Sequence, residues 1–143
     1  MLKNGSQRSM SFAFTAARRI VAPTTSTFTR NMITITSGVE FDTIAREWRC
    51  KWSADNDKAS LAAAQKALEE VISEVKAVDG VKGVSRTVCG GCLDFKVATS
   101  LTADKFGAWE EAKFAPEEQF LEKLKAIDGI SVVETQTFTL MLM

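Results

Sequence analysis

The chain has 143 residues, 45% hydrophobic and 25% charged, with 18 basic side chains, 18 acidic ones and no histidine. That balance suits one globular domain with a core of its own; it excludes chemistry that turns on histidine, and no apolar run approaches the roughly 18 residues that span a bilayer. Five of the basic residues and none of the acids lie in residues 1–39, so the remainder is net −5 and lacks the basic stripe that nucleic acids require.

Residues 1–36 are rich in Ser, Thr, Ala and Arg, and SFAFTAARRIV within them suits a basic amphipathic helix. These are the features of a mitochondrial transit peptide, with a plastid leader as the alternative. Arg18 and Arg19 break the only apolar stretch that would serve as a secretory signal. The expected organisation is a cleavable, disordered leader over 1–36, with a cut near Arg30-Asn31-Met32, and a domain over 37–143. A reducing matrix would suit three unpaired cysteines.

From Ile44 to Trp52 the chain alternates: Ile44, Trp48, Cys50 and Trp52 share one face, with Arg46 the exception, and Glu47, Arg49 and Lys51 share the other. This predicts the first strand. Turn residues at 53–57 follow, and Asp57 or Ser60 is placed to cap a helix. Leu61, Ala64, Leu68, Val71, Ile72, Val75 and Val78 then recur at helical spacing until Gly80, which takes the left-handed conformation that ends a helix.

Val84–Cys89 and Cys92–Thr99 flank Gly90-Gly91, which predicts a hairpin with a two-residue type I′ turn. Leu93, Phe95 and Val97 form its core face. Cys89 and Cys92 make a Cys-x-x-Cys, but no helix follows to lower a thiol pKa, and Cys50 is the only other cysteine available to a zinc site. No metal site is expected, and the pair reads as small apolar strand residues, with a reversible disulfide or a ligand-contacting thiol as the alternative.

A second helical region opens at Thr102, turns Phe106 and Trp109 inward, breaks at Ala115-Pro116 with the proline opening a new helix, and continues through Phe120, Leu121, Leu124 and Ile127 to Gly129. The last run, 130–143, is a strand with Ile130, Val132, Phe138, Leu140 and Leu142 on one parity and Thr135, Thr137 and Thr139 on the other. Lys76-Ala77-Val78-Asp79-Gly80-Val81 recurs as Lys125-Ala126-Ile127-Asp128-Gly129-Ile130, each copy where a helix passes into a strand. The order β-α-β-β-α-β predicts a ferredoxin-like α+β fold, a four-stranded antiparallel sheet with two helices on one face.

On this reading the face away from the helices carries Glu47, Arg49, Lys51, Asp94, Lys96 and the three threonines. It is either simply wet or packs against a second copy to close a barrel around a polar cavity, which would take a small polar or anionic ligand. Leu140–Met143 is a candidate partner contact.

Over residues 42–143 the pattern resembles the dimeric α+β barrel superfamily, which includes antibiotic-biosynthesis-type monooxygenases, stress-responsive barrel proteins and the ligand-binding domain of Lrp/AsnC regulators. TADKFGAWEEAKFAPEEQFLEKL is similar to the monooxygenase segment in which a short helix presents an aromatic or a histidine before a second helix begins. AVDGVKGVSRTVCGGCLDFKV is similar to the regulators' strand, Gly-x-x-Asp turn and strand, with Gly91 and Asp94 matching. The resemblance implies a homodimer. Trp109 or Glu110 stands near the monooxygenases' histidine, so haem ligation by histidine does not carry over; Trp109 matches a role in cofactor-independent oxygenation, and no cofactor is expected. No DNA-binding helix-turn-helix precedes the domain.

Three functions compete. The first is a ligand-binding or cofactor-independent oxygenase or isomerase-like dimer, with Arg49, Lys51, Asp94, Lys96 and Trp109 as candidate ligand residues and no catalytic residue assigned. The second is a non-catalytic subunit or assembly factor of a mitochondrial complex. The third is a thiol redox switch through Cys89 and Cys92.

Overall fold

Alternation in the central strands decides how the domain is layered. In the computed structural model, which describes residues 32–143, a short hairpin of β1 (Ile33–Thr36) and β2 (Val39–Phe41) leads into β3 (Thr43–Lys51). Then come α1 (Asp55–Lys76), β4 (Val81–Val88), β5 (Asp94–Thr102), α2 (Ala103–Glu111), α3 (Glu117–Lys125) and β6 (Ser131–Leu140). The last four strands of the chain form an antiparallel sheet in the order β4-β5-β3-β6, and β1-β2 is a separate two-stranded sheet. The ferredoxin-like α+β arrangement is therefore present, with the second helical region divided in two.

Trp48 lies opposite Val97, and Arg49 opposite Lys96. Because neighbours across a ladder share a face, Trp48, Cys50, Phe95, Val97 and Leu101 all turn toward the helices, where each is at most 1% exposed. Ala64, Ala67, Leu68, Val71 and Val75 of α1, Phe106 and Trp109 of α2, and Phe120 and Leu124 of α3 complete that core. Burying each of the larger apolar side chains contributes about 1.5–3 kcal/mol before entropy is counted, and this packing, rather than propensity, holds the nine-residue α2 and α3 in place.

Four local features differ from the expectations above. The boundary between 36 and 37 falls inside the β1–β2 hairpin, where Ile33 pairs with Phe41 and Gly38 turns at φ 78°; the rest of the proposed leader, 1–31, lies outside the described residues. Neither Asp57 nor Ser60 caps α1: Asn56, Asp57 and Lys58 are left-handed (φ 52°, 54° and 61°), and Ser60 Oγ accepts from Ser53 N and donates to Ser53 O instead. Pro116 follows a cis peptide bond and precedes α3 by one residue. Finally, β6 presents the opposite parity. Val132 is left-handed (φ 50°), and the β3–β6 register slips between Arg49↔Glu134 and Lys51↔Ser131. A slip of one residue exchanges the two faces of a strand, so Thr135, Thr137 and Thr139 lie on the helix side with Arg46, while Glu134, Gln136, Phe138 and Leu140 lie on the open side.

The repeated Asp-Gly corners are not equivalent. Gly80 (φ 87°) and Gly129 (φ 90°) both end helical segments, but a Cβ at Gly80 would sit 2.3 Å from Lys105 Cβ, against 3.2 Å from Ser60 Cβ at Gly129. Each alanine replacement carries the left-handed penalty of about 1–2 kcal/mol; Gly80→Ala is expected to cost about 1 kcal/mol more than Gly129→Ala because α2 must also shift. Thermal unfolding of the two variants measures the difference.

Candidate functional site

The space between the sheet and α2–α3 is closed by a charged cluster set among aromatic rings. Arg46 Nε and Nη2 donate to the two carboxylate oxygens of Glu117 at 2.8 and 2.9 Å, and Trp48 Nε1 donates to Oε2 at 2.7 Å. Arg46 also donates to Thr137 and Thr135 at 2.9 and 2.8 Å, and its guanidinium lies 4.2 Å from the Phe114 ring centre. This is why a residue of the helix face can be an arginine: every strong direction of its fork is met. Its odd place in the alternation was the signal; the acceptor, 71 residues away, carried none.

Trp109 belongs to this interior. It is 4% exposed, packs edge-on against Phe106 and Phe114, and donates through Nε1 to Ala115 O at 3.0 Å. The sheet thus separates it from the four other candidate ligand residues. Nearby, Thr99 Oγ1 is buried without a hydrogen-bond partner, the single such side-chain atom among the described residues. Thr99→Val loses no bond and removes a desolvated hydroxyl, so it is expected to stabilise the fold by about 1 kcal/mol in chemical denaturation.

Arg49, Lys51, Asp94 and Lys96 do come together, on the open face of β3 and β5. Arg49 Nη2 lies 2.6 Å from Glu134, Lys51 Nζ lies 2.5 Å from Asp94 Oδ1, and Lys96 Nζ lies 3.9 Å from Asp94 Oδ2. The hydrogen bond from Lys51 and the charges of Lys51, Lys96 and Arg49 hold the Asp94 carboxyl below its ordinary range, and the bond to Glu134 raises Arg49. Farther along, Gln136 donates to Glu47 at 2.9 Å, and Ala45 lies between Ser100 and Phe138. The face therefore grades from ion pairs at one end to Ala45, Phe138 and Leu140 at the other. Its hollow, lined by Arg49, Cys50, Lys51, Asp94 and Val132, holds only about 70 Å³. The Cys50 thiol itself is on the helix side of the strand, where burial, with the Asp94 charge, pushes it up to about 11. On the helix side an open furrow of about 460 Å³ runs between α1 and β4, with Leu61, Val88 and Phe95 along it and Lys58 and Arg86 at its rim.

The β4–β5 connection is longer than the alternation implied. Cys89 N donates to Asp94 O at 2.9 Å, and the positive φ falls on Leu93 (58°) rather than on either glycine. The turn thus occupies Cys89–Leu93 and is not a two-residue type I′ turn. Cys89 and Cys92, expected as strand residues, lie in it and are joined as a disulfide with Cα atoms 5.6 Å apart. Lys51 ties this turn to the open face, since Nζ donates to Cys92 O at 2.8 Å as well as pairing with Asp94.

No protein-family model and no curated protein matches the chain. Solved structures do. A candidate antibiotic biosynthesis monooxygenase from Deinococcus radiodurans aligns with a TM-score of 0.53 at 14% identity, over 70% of this chain and 94% of its own. The Rv0793 protein of Mycobacterium tuberculosis aligns at 0.50 and 14%, over 71% and 97%, and a dimeric ferredoxin-like protein from an uncultured marine organism at 0.50 and 12%, over 71% and 90%. At this identity the likeness speaks for fold alone, and it agrees with the strand order and the one-sided helices: the chain has a ferredoxin-like α+β fold.

Proposed function

We propose that the protein is a homodimer whose two open sheet faces pack together and hold a small polar or anionic ligand beside Arg49, Lys51, Asp94 and Lys96. The observation that carries this reading is an open sheet face with half-buried Phe138 and Leu140 at one end and paired charges at the other. Its own hollow of about 70 Å³ falls far short of the about 300–1,000 Å³ of a ligand site, so a second wall is needed. The marine neighbour, described as dimeric, supports a dimer. In this reading any cofactor-independent oxygenase or isomerase chemistry belongs to the open face; the Deinococcus neighbour, described as a monooxygenase, supports the oxygenase half alone, and Trp109 acts as packing. A contact role in a larger organelle assembly is favoured by Leu142 and Met143, which are 86% and 109% exposed at the chain end. Mitochondrial targeting, with plastid as the alternative, rests on the composition of residues 1–36.

Light scattering at micromolar concentration is expected to give twice the chain mass, and Phe138→Asp to give the monomer mass with unchanged circular dichroism. A monomeric parent protein overturns the reading. Native mass spectrometry then tests the ligand: a bound small molecule lost on Lys96→Ala supports the open face, and one lost on Arg86→Ala instead assigns it to the furrow between α1 and β4.

A further inference from the structure

We infer that the Cys89–Cys92 turn is a redox-active pair that undergoes thiol–disulfide exchange with small anionic thiols, and that the two sulfurs have different roles. The exchange itself rests on the turn and not on a covered sheet face, while the preference for anionic thiols draws on Lys51, Asp94 and Lys96, which the ligand reading also uses.

Position separates this disulfide from a structural staple. It bridges residues three apart, at the end of a hairpin whose β4–β5 pairing already continues to Val88↔Phe95 and to the bond from Cys89 N to Asp94 O. A ring this small restrains little of the unfolded chain beyond the turn itself. Opening it therefore leaves the ladder and the core in place, so the turn can cycle without unfolding.

The sulfurs differ in access and in what they touch. Cys92 is exposed, whereas Cys89 is half-buried. The Cys92 N–H lies 3.1 Å from Cys89 Sγ and points at it as a donor. An incoming thiolate reaches Cys92 Sγ, forms a new S–S bond there, and expels Cys89 as a thiolate, whose negative charge that N–H is already placed to stabilise. Cys89 then takes up a proton. A second thiol attacks the mixed disulfide, leaving the protein dithiol and the thiol's own disulfide. Two electrons and two protons pass from two thiols to the protein, and the reverse sequence reoxidises it.

The surroundings select the thiol. Lys51 and Lys96 both reach the single carboxylate of Asp94, and Lys51 holds the carbonyl of Cys92 as well. Asp94 Oδ2 itself lies 3.3 Å from Cys92 Sγ, and the two lysines that pair with this carboxylate leave the group around the sulfur one charge positive, which favours a thiol carrying carboxylates.

The full chain is equilibrated in buffers of reduced and oxidised glutathione, acid-quenched, alkylated and mapped by mass spectrometry. The expected result is an interconversion of disulfide and dithiol with unchanged far-ultraviolet circular dichroism. A pair that stays oxidised in excess reduced glutathione, or that loses the fold on reduction, overturns the inference. With oxidised glutathione, Cys89→Ser is expected to form a mixed disulfide on Cys92 about tenfold faster than Cys92→Ser forms one on Cys89; equal rates remove the assignment of roles. Lys51→Met is expected to slow the exchange with glutathione several-fold and leave exchange with uncharged 2-mercaptoethanol unchanged; equal slowing with both removes the preference for anionic thiols.

Discussion

Glu117→Ala is expected to lower the folding free energy by about 2–4 kcal/mol, the cost of breaking a buried ion pair reduced slightly for residual solvent access. Arg46 and Glu117 side chains are only 15% and 14% exposed, so removing the carboxylate leaves a guanidinium in a poorly hydrated site with the hydroxyls of Thr135 and Thr137 as its remaining acceptors. Trp48 Nε1, on a side chain 1% exposed, loses its acceptor in the same step. Glu117→Gln keeps an acceptor for the indole and Arg46 Nε but loses the charge and turns an amide NH2 toward Arg46 Nη2, so it is expected to cost less than alanine while remaining clearly destabilising. Replacing both charges, as Arg46→Met with Glu117→Gln, is expected to recover part of the loss, because no uncompensated charge remains. Urea titrations of the four proteins measure this. A loss below about 1 kcal/mol for Glu117→Ala would mean that the pair behaves as a solvated surface bridge.

What the sequence made legible was periodic, and what it hid depended on single backbone residues. The alternation through Trp48, Cys50, Phe95 and Val97 leads directly to the central ladder, and the spacing from Leu61 to Val75 to the face α1 buries. The same logic fails in β6, where left-handed Val132 shifts the parity; nothing in Ser131-Val132-Val133 announces it, because a β-branched residue is a poor candidate for positive φ. Phe138 and Leu140 thus lie on the open face although their apolar parity pointed inward, and the threonines that looked like a solvent face serve Arg46. Gly90-Gly91 suggested the tightest turn available, but the disulfide between Cys89 and Cys92 spans a wider one and passes the positive φ to Leu93. At the start of the domain the Ser- and Thr-rich composition continues into Ile33-Thr34-Ile35-Thr36, masking a short strand whose Ser37-Gly38 turn was readable by itself. Of the candidate ligand residues, the four on strands gather because ladder partners must share a face. Trp109 does not join them, because a helix face set its direction.

Phe120→Ala is expected to destabilise the protein by about 3–5 kcal/mol, which is a large part of the roughly 5–15 kcal/mol that holds a domain of this size. Phe120 is 0% exposed and its ring centre lies 5.1 Å from that of Trp48, which lies 6.4 Å from Trp109. The phenyl group is thus the contact through which α3 seals the middle of the sheet. Its removal opens a void between Trp48 and the α1 face that rigid strands on one side cannot close. Helix α3 has only nine residues and no side-chain cap at its start, so little besides this packing keeps it formed. It also carries Glu117, so loosening α3 disturbs the acceptor of Arg46 and Trp48, and the two losses should couple. Phe120→Ala combined with Glu117→Ala is therefore expected to cost less than the sum of the single changes, by about 1 kcal/mol or more. Phe120→Leu, which refills most of the volume, is expected to cost about 1–1.5 kcal/mol. Additive losses in the double variant, measured by urea denaturation at one pH, would mean that the ring and the ion pair act independently, and that the cluster between the sheet and α3 is two contacts rather than one unit.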